Sequence, residues 1–431
     1  MSPLTHYAAL LSTILSPALA GGPIFTIPLD KQYVPVVRNG ATVAHKTAYF
    51  GKVHVGQPAS QTFSVVFDTG SGHFFLPSSA CQSAPCSKHR RFDRGASASA
   101  EDINHDGSPV GAEESERDEV SVVYGTGSIA GSFVRDTVCL QGSGSSSNAT
   151  GGMGCATVRV VLAHEMTEEP FDAFEFDGVV GLGLDPLALD PEFSFFGRMA
   201  AAGGLAEHRF GYFLSRSDLI PSEIAFGGVD DTRLASEIQW SPVHRAELGH
   251  WQVKIRSISV GGKVVEDCRD GCSAIADTGT SLLGVPKSTM RALHLQLARK
   301  VPGDPEELDC RDFPGPEMVF ELEGGVRLTL GPEDYSRAAA MRVVQGSTQR
   351  AQVICRASLM PVEADPALGS KTWILGEPVL QKYYTAYDWD GRRVGFGLAA
   401  HPAAHEGDAA RSHVVMGSSP GKALAPALVQ I

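Results

Sequence analysis

The 431-residue sequence contains no Cys-x-x-Cys and no His-Glu-x-x-His motif. These absences remove the usual support for a zinc site or a thiol redox centre. No apolar run beyond the N-terminus reaches the roughly 18 residues that a membrane span requires. Basic residues are also few, 36 against 49 acidic ones. This balance argues against binding to nucleic acid or to an anionic membrane face.

Glycine and proline are abundant. The chain has 47 Gly and 26 Pro, and 43% of its residues are hydrophobic. This composition predicts many turns, much strand and enough apolar side chains for sizeable cores. At about 100–200 residues per domain, the length corresponds to two or three units.

The N-terminus carries the pattern of an export signal. Residues 7–20 form a short apolar stretch that ends in Ala18-Leu19-Ala20, a small-x-small cleavage pattern. In an exported chain, eight cysteines are expected to form disulfides. Their spacing favours four pairs, although proximity alone leaves other connectivities open: Cys81 with Cys86, Cys139 with Cys155, Cys268 with Cys272, and Cys310 with Cys355.

The chain contains an internal repeat. The run Asp68-Thr69-Gly70-Ser71 recurs as Asp277-Thr278-Gly279-Thr280, and each copy lies between two apolar runs. Each half then carries a second marker, Val179-Val180-Gly181 and Ile374-Leu375-Gly376. Two markers in the same order at similar spacing predict two related lobes, each with a strand, a tight polar turn and a second strand.

Two carboxylates on equivalent loops can meet where the lobes join. At hydrogen-bond distance they cannot both ionise cheaply, so they share a proton and titrate as a pair. One carboxyl then acts as a base and the other as an acid, which allows them to activate a water and protonate a carbonyl. The neighbouring residues suit this arrangement, because glycines admit a close approach and hydroxyls donate hydrogen bonds or cap the turns: Gly70, Gly279, Ser71, Thr280, Thr69 and Thr278.

With these motifs the sequence resembles the pepsin-like aspartic proteases from Tyr49-Phe50-Gly51 to Gly395-Phe396-Gly397. The resemblance implies a mostly β, bilobal fold in which an active-site cleft lies between two related β-rich lobes. It implies an aspartic endopeptidase without a cofactor. The matching segments are Phe67–Ser71, Ala276–Ser281, the flap-like Tyr124–Ser128, Phe176–Gly183 and Trp373–Gly376.

Site residues follow from the resemblance. Asp68 and Asp277 would be catalytic, with the flap formed by Tyr124, Gly125 and Thr126. Three of the four cysteine pairs fall where the family has disulfides, and Cys139–Cys155 would be additional. Apolar side chains near the carboxylates are expected to bind a bulky hydrophobic substrate residue before the cut, although each of them is equally consistent with a plain core position: Val66, Phe176 and Val179, joined by Phe171 and Phe174.

The sequence departs from the family at one position beside the flap. Where the family usually has a Trp whose ring nitrogen bonds the flap tyrosine, this chain has Phe75, which has no N–H to donate. We therefore expect the flap to be held differently. His73, close to the first aspartate, is expected to line a subsite or face solvent and not to catalyse.

The predicted organisation has five parts. A signal peptide (1–20) precedes a short segment (21–46) that is either a removable prosegment or a strand of the mature enzyme. The N-terminal catalytic lobe with the flap (47–235), the C-terminal catalytic lobe (236–400) and a disordered tail (401–431) follow. In a zymogen, Lys31, Arg38 or Lys46 could neutralise the carboxylates. We expect a glycosylated monomer that acts on peptide or protein substrates and binds no nucleic acid, secreted or held in an acidic vacuolar or lysosome-like compartment.

Several weaker patterns leave alternatives open. Asn148 is in a glycosylation sequon. The segment from Asp102 to Glu113 fits a calcium-loop pattern, but acidic turn residues in a solvated insert explain it more simply, so no metal is predicted.

A catalytically inactive peptide-binding relative and a two-carboxylate glycosidase are the alternatives to a protease. Both intact Asp-Thr-Gly motifs disfavour the former, and the symmetric motifs with the flap disfavour the latter.

The local pattern also predicts three elements in the second half. Pro286 is expected to open a helix that continues to Lys300. A short helix is expected from Glu377 to Tyr384. A hairpin is expected over 385–398, turning at Asp390-Gly391 because glycine tolerates a positive φ.

Overall fold

A computed structural model describes residues 23–38, 41–111, 117–125, 127–141, 154–303, 308–344, 351–402 and 414–416. Strands are the most common regular structure among these residues, as the glycine- and proline-rich composition predicted. The strands of the first half are β1 Phe25–Arg38, β2 Ala41–Val55, β3 Gln61–Asp68, β4 Phe74–Pro77, β5 Glu101–Ile103, β6 Glu119–Tyr124, β7 Gly127–Cys139, β8 Cys155–Met166, β9 Gly178–Gly181, β10 Arg209–Phe213 and β11 Ser222–Phe226.

The second half of the chain is also rich in strands. Its strands are β12 Gln239–Pro242, β13 Gln252–Val260, β14 Lys263–Ala276, β15 Leu283–Pro286, β16 Arg299–Val301, β17 Met318–Leu322, β18 Arg327–Leu330, β19 Met341–Val344, β20 Ala351–Cys355, β21 Leu359–Val362, β22 Thr372–Leu375, β23 Tyr383–Asp388, β24 Arg393–Leu398 and β25 Val414–Met416. The described helices are short: α1 Ala84–Lys88, α2 Phe195–Ala201, α3 Lys287–Leu297, α4 Pro332–Tyr335 and α5 Glu377–Leu380.

The internal repeat is visible in the strand order. One sheet contains the order β3-β9-β4-β8, and another contains β14-β22-β15-β21. In both, the first pair is parallel, the second is antiparallel and the third is parallel. The second markers of the repeat are β9 and β22, each beside the strand that leads into an Asp-Thr-Gly turn. The fold is therefore mostly β with two related lobes, as expected.

The two halves of the chain share the largest sheet. Its order is β12-β24-β23-β10-β11-β1-β2-β3-β9-β4-β8-β7-β5, with β6 and β25 added at the sides. Strands β12, β23 and β24 come from the second half of the chain and pair into this sheet through β10. Strands from both sides of the predicted boundary at residue 235 are thus paired in one sheet.

A buried aromatic core underlies this shared sheet. Phe210 stacks on Tyr387 with ring centroids 4.7 Å apart, and Trp251 meets Tyr387 edge-on at 5.2 Å. All three side chains are fully buried. Burying such large apolar surfaces is the main stabilising contribution to a fold of this kind.

Two of the predicted elements are shorter than the sequence indicated. The helix after Pro286 ends at Leu297, since Arg299 enters strand β16, and Pro286 itself is the N-cap. The second predicted helix ends at Leu380, because Tyr383 and Tyr384 are already paired in β23. In both places strand pairing overrides a local helical pattern.

The predicted hairpin exists, with a different turn residue. Strands β23 and β24 pair from Tyr383↔Leu398 to Asp388↔Arg393. The positive φ falls on Arg392, at 45°, and not on Gly391. The Gly391 amide instead donates to Asp388 Oδ1 at 2.9 Å, which closes the turn.

Candidate active site

Both Asp-Thr-Gly turns begin where a buried strand ends. Asp68 is the last residue of β3 and pairs with Gly181 of the parallel strand β9. Asp277 directly follows β14, and its amide donates to the Leu375 carbonyl of β22. Since the flanking residues Phe67 and Ala276 are fully buried, each aspartate leaves a rigid strand at a fixed point.

The threonines of the two turns bind the turns to each other. The Thr69 amide donates to Thr278 Oγ1 at 3.0 Å, and the Thr278 amide donates to Thr69 Oγ1 at 3.0 Å. Each hydroxyl then donates across the interface, Thr69 Oγ1 to the Ala276 carbonyl at 2.8 Å and Thr278 Oγ1 to the Phe67 carbonyl at 2.7 Å. This reciprocal network fixes the distance between the two turns.

The glycines bring the two carboxyls face to face. A Cβ at Gly70 would lie 2.8 Å from Asp277 Oδ1, and a Cβ at Gly279 would lie 2.6 Å from Asp68 Oδ1. Such contacts are too short for a side chain, so each glycine admits the opposite carboxyl. The Gly70 amide also donates to Asp68 Oδ1 at 2.9 Å, and the Gly279 amide to Asp277 Oδ1 at 2.8 Å.

The hydroxyl contacts of the two carboxyls differ. Thr280 Oγ1 donates to Asp277 Oδ2 at 2.6 Å. Ser71, which the sequence suggested would do the same for Asp68, does not: its Oγ is buried without a hydrogen-bond partner. The expectation for Ser71 was therefore wrong, and the repeated sequence does not produce a symmetric pair.

Burial and repulsion raise the proton affinity of Asp277. The pKa of Asp277 is raised to about 7, first because the carboxyl is buried and then by the charge of Asp68, while Thr280 and Gly279 oppose the rise. A buried carboxyl that keeps its proton near neutral pH can act as an acid, and a second carboxyl beside it can act as the base. This pair can take one proton from a bound water and give another to a substrate oxygen.

A cleft of about 450 Å³ opens above the two carboxyls. The three predicted substrate-binding residues, Val66, Phe176 and Val179, all line it, together with Phe171 and Phe174. Phe174 and Phe176 are stacked with ring centroids 5.4 Å apart. One wall of the cleft is therefore aromatic, which suits a bulky apolar side chain.

A hairpin of β6 and β7 covers the cleft. Tyr124 pairs with Gly127 across its tip, and Gly125 has a φ of 56°. Both Tyr124 and Gly125 line the cleft. The remaining predicted flap residue, Thr126, lies outside the described residues. Burial and the charge of Asp68 raise the pKa of the Tyr124 hydroxyl well above its usual range.

Two histidines, His73 and His250, line the cleft. The His73 Nε2 accepts from the Leu189 amide at 3.1 Å. His250, which sequence reasoning missed, also lines the cleft and is 4% exposed. Burial lowers the pKa of each to about 4. A lone histidine before Trp251 gives no sequence signal.

Glu377 was also missed. Its amide donates to the Thr280 carbonyl at 2.9 Å, directly behind the second turn. Its carboxyl accepts from the Tyr49 hydroxyl at 2.6 Å and from Gln381 Nε2 at 2.8 Å, and burial raises its pKa. These partners are up to 328 residues apart in sequence, so no local pattern could have revealed the cluster.

The four cysteine pairs favoured by spacing are all joined: Cys81–Cys86, Cys139–Cys155, Cys268–Cys272 and Cys310–Cys355. Asn148, inside the Cys139–Cys155 loop, lies outside the described residues, as do the predicted signal peptide and most of the predicted tail. In the acidic insert, Asp102 pairs with Arg94 at 2.8 Å and with Arg117 at 3.3 Å. This carboxylate is therefore engaged by cations of the chain itself.

Comparison with known proteins agrees with this geometry. The profile of the family described as "Eukaryotic aspartyl protease" matches residues 48–399. Gastricsin of Homo sapiens is 31% identical over 357 residues, covering 82% of this chain and 82% of that protein. Cathepsin E of Rattus norvegicus is 31% identical over 357 residues (81% and 80%), and cathepsin E-B of Xenopus laevis is 30% identical over 354 residues (80% and 78%).

The chain therefore belongs to the eukaryotic aspartyl protease family, and by class it is an aspartic-type endopeptidase. No helix among the described residues is long and apolar enough to cross a membrane.

Proposed function

We propose that this chain hydrolyses peptide bonds with Asp68 and Asp277 as its two catalytic residues. The observation that supports this most strongly is the pair of facing carboxyls, one with its pKa raised to about 7 and each held by the glycine amide of its own turn. The shared proton of such a pair is the established pattern of aspartic proteases, and the argument applies that pattern to these two residues.

In the proposed reaction, the ionised Asp68 takes a proton from a water as the water oxygen attacks the scissile carbonyl carbon. Asp277 gives its proton to the carbonyl oxygen, which produces a neutral gem-diol. Asp68 then returns its proton to the amide nitrogen while Asp277 recovers one from a gem-diol hydroxyl, and the C–N bond breaks. Protons and bonds balance, and no covalent enzyme intermediate forms.

The proposed substrates are peptides or proteins with a bulky hydrophobic residue before the cut. The aromatic wall of Phe171, Phe174 and Phe176 supports this preference, because burying a large apolar side chain there would contribute about 2 kcal/mol of binding. We further propose that the enzyme works as a monomer in the secretory pathway, secreted or in an acidic compartment, where the pair keeps its shared proton.

The test is cleavage of a quenched peptide with two adjacent phenylalanines by residues 21–431, from pH 3 to pH 8. We expect cleavage at acid pH, inhibition by a pepstatin-type inhibitor and loss of at least a thousandfold in kcat for Asp277→Asn. Asp312→Asn is the matched control, since this carboxyl is exposed and is not among the residues that line the cleft. Inhibitor binding without cleavage at any pH would instead identify a peptide-binding relative without activity.

A further inference from the structure

Gln32 is a fully buried glutamine in strand β1. Its Nε2 donates to the Ala173 carbonyl at 3.1 Å, and its Oε1 accepts from the Glu175 amide at 2.8 Å. Donor and acceptor of one side chain thus bind the main chain on either side of Phe174. A buried amide satisfied at both ends fixes the position of the backbone to which it binds.

The segment bound by Gln32 carries the aromatic wall of the cleft. It runs between the end of β8 at Met166 and the start of β9 at Gly178, and it forms no regular strand. Phe174, between the two bonded residues, stacks on Phe176, and Phe176 meets Phe50 of β2 with ring centroids 6.4 Å apart. Gln32 supplies here the hydrogen bonds that a neighbouring strand would otherwise supply.

The strand that carries Gln32 is itself firmly anchored. Residues 25–29 pair with β11, and residues 30–38 pair with β2. The adjacent Lys31 is 5% exposed, and its Nζ lies 3.1 Å from Asp218 Oδ1, which also accepts from the Tyr33 hydroxyl at 2.8 Å. In this structure the Lys31 ammonium group is therefore engaged by Asp218 and not by Asp68 or Asp277.

We propose that Gln32 is a positioning residue for the substrate-binding wall, and that β1 is a permanent part of the active enzyme and not a removable prosegment. The proposal deepens the proposed function, since it assumes that the wall binds the residue before the cut. According to this proposal, strand β1 influences substrate preference by holding a segment of the wall that lies about 140 positions further along the chain.

The first experiment compares two quenched peptides, with Phe or with Ala before the cut, on wild type and Gln32→Met. Methionine keeps the volume of the side chain and removes the amide. We expect kcat/KM for the Phe peptide to fall roughly ten- to a hundredfold, mainly through KM, because the wall is no longer held in place. The Ala peptide should change less than threefold. Thr26→Ala, on the exposed face of the same strand, should change neither.

An equal loss with both peptides, or an unchanged preference in Gln32→Met, would overturn the proposal. Gln32→Leu provides a second variant if the methionine variant does not fold, since it also removes the donor for Ala173 and the acceptor for Glu175. Its preference for Phe should fall as in Gln32→Met.

Hydrogen exchange at the Glu175 amide separates this proposal from the proposed function. We expect protection in wild type and at least tenfold faster exchange in Gln32→Met, with or without peptidase activity. If wild type cleaves neither peptide and Glu175 is still deprotected by the substitution, the catalytic assignment fails while the positioning role holds. Unchanged exchange would refute the positioning role.

The permanence of β1 is tested by the intact mass of the active species. We expect every active molecule to retain residues 25–38. Full activity in a purified species whose chain begins after Arg38 would show that the strand is dispensable.

Discussion

The rings of Phe75 and Tyr124 lie 5.0 Å apart at an interplanar angle of 45°, and no hydrogen bond joins them. The Tyr124 hydroxyl is buried without a hydrogen-bond partner among the described residues. Phe75 therefore contacts the flap through its ring alone, as the sequence predicted when it placed a residue without N–H at this position. The flap gains an apolar contact and lacks a polar one.

Phe75→Trp should restore a donor beside this hydroxyl. A net hydrogen bond contributes about 1 kcal/mol, so we expect roughly fivefold tighter binding of a pepstatin-type inhibitor. Because Phe75 is fully buried, the larger ring should also lower the free energy of unfolding by about 1–3 kcal/mol. Inhibition constants and urea unfolding measure the two effects. Phe75→Leu, which has neither donor nor ring, should weaken inhibitor binding, and equal binding by both variants would contradict this account.

Tyr124→Phe tests the same contact from the other side. Since the hydroxyl has no described partner, its removal should leave the free energy of unfolding unchanged or raise it by about 1 kcal/mol. Differential scanning calorimetry of the unliganded enzyme would measure this. A clear loss of stability would show that the hydroxyl is bound in the free enzyme.

The reciprocal threonines should be essential for both stability and rate. Thr69→Val keeps the shape of the side chain but leaves the Thr278 amide and the Ala276 carbonyl without their partner. We expect a loss of about 2 kcal/mol in the free energy of unfolding and a fall in kcat of about a hundredfold. Thr62→Val, whose hydroxyl contacts His54 away from the cleft, should preserve kcat. Full activity in Thr69→Val would mean that the turns are aligned by other contacts.

The pH dependence of stability should reflect Asp277. Its pKa in the folded state is raised to about 7 from the ordinary 3.8, so folding favours the protonated form. This contribution is fully present below pH 3.8 and is lost as the pH rises to about 7, by roughly 4 kcal/mol at most. Urea unfolding at several pH values should therefore show a weaker dependence between pH 4 and 7 for Asp277→Asn than for wild type. Activity of the wild type should decline over the upper part of the same range.

The pH dependence of stability that comes from His250 should be opposite to that from Asp277. Its pKa is lowered from 6.5 to about 4 by burial, so its contribution is present above pH 6.5 and is lost as the pH falls to about 4. Between pH 7 and pH 4, the free energy of unfolding of His250→Gln should therefore fall by up to about 3 kcal/mol less than that of the wild type. Thermal unfolding at pH 7 and pH 4 would measure the difference. As a control, His105 is exposed and paired with Asp118, which raises its pKa, so His105→Gln should not reproduce the effect.

Local patterns predicted the parts of the site that depend on local sequence. The two Asp-Thr-Gly turns and the strands β9 and β22 beside them were all recognisable, because each is a short motif repeated in both halves. Ser71 shows the limit of this reasoning, since equivalent positions in a repeat need not make equivalent hydrogen bonds. Gln32 and Glu377 had no recognisable pattern, because their partners come from distant segments that only the folded chain brings together.

The sheet shared by both halves limits which parts of the molecule can move to admit a substrate. Moving the halves apart would break the β10–β23 ladder, and the two Asp-Thr-Gly turns would separate with it. Strand β6, in contrast, is held along one edge by its pairing with β7. Loading of a peptide and departure of the fragments should therefore be governed by lifting of this hairpin, while the aspartates stay fixed throughout the cycle. In such an enzyme, opening of the β6–β7 hairpin is expected to limit turnover, and separation of the two halves is not.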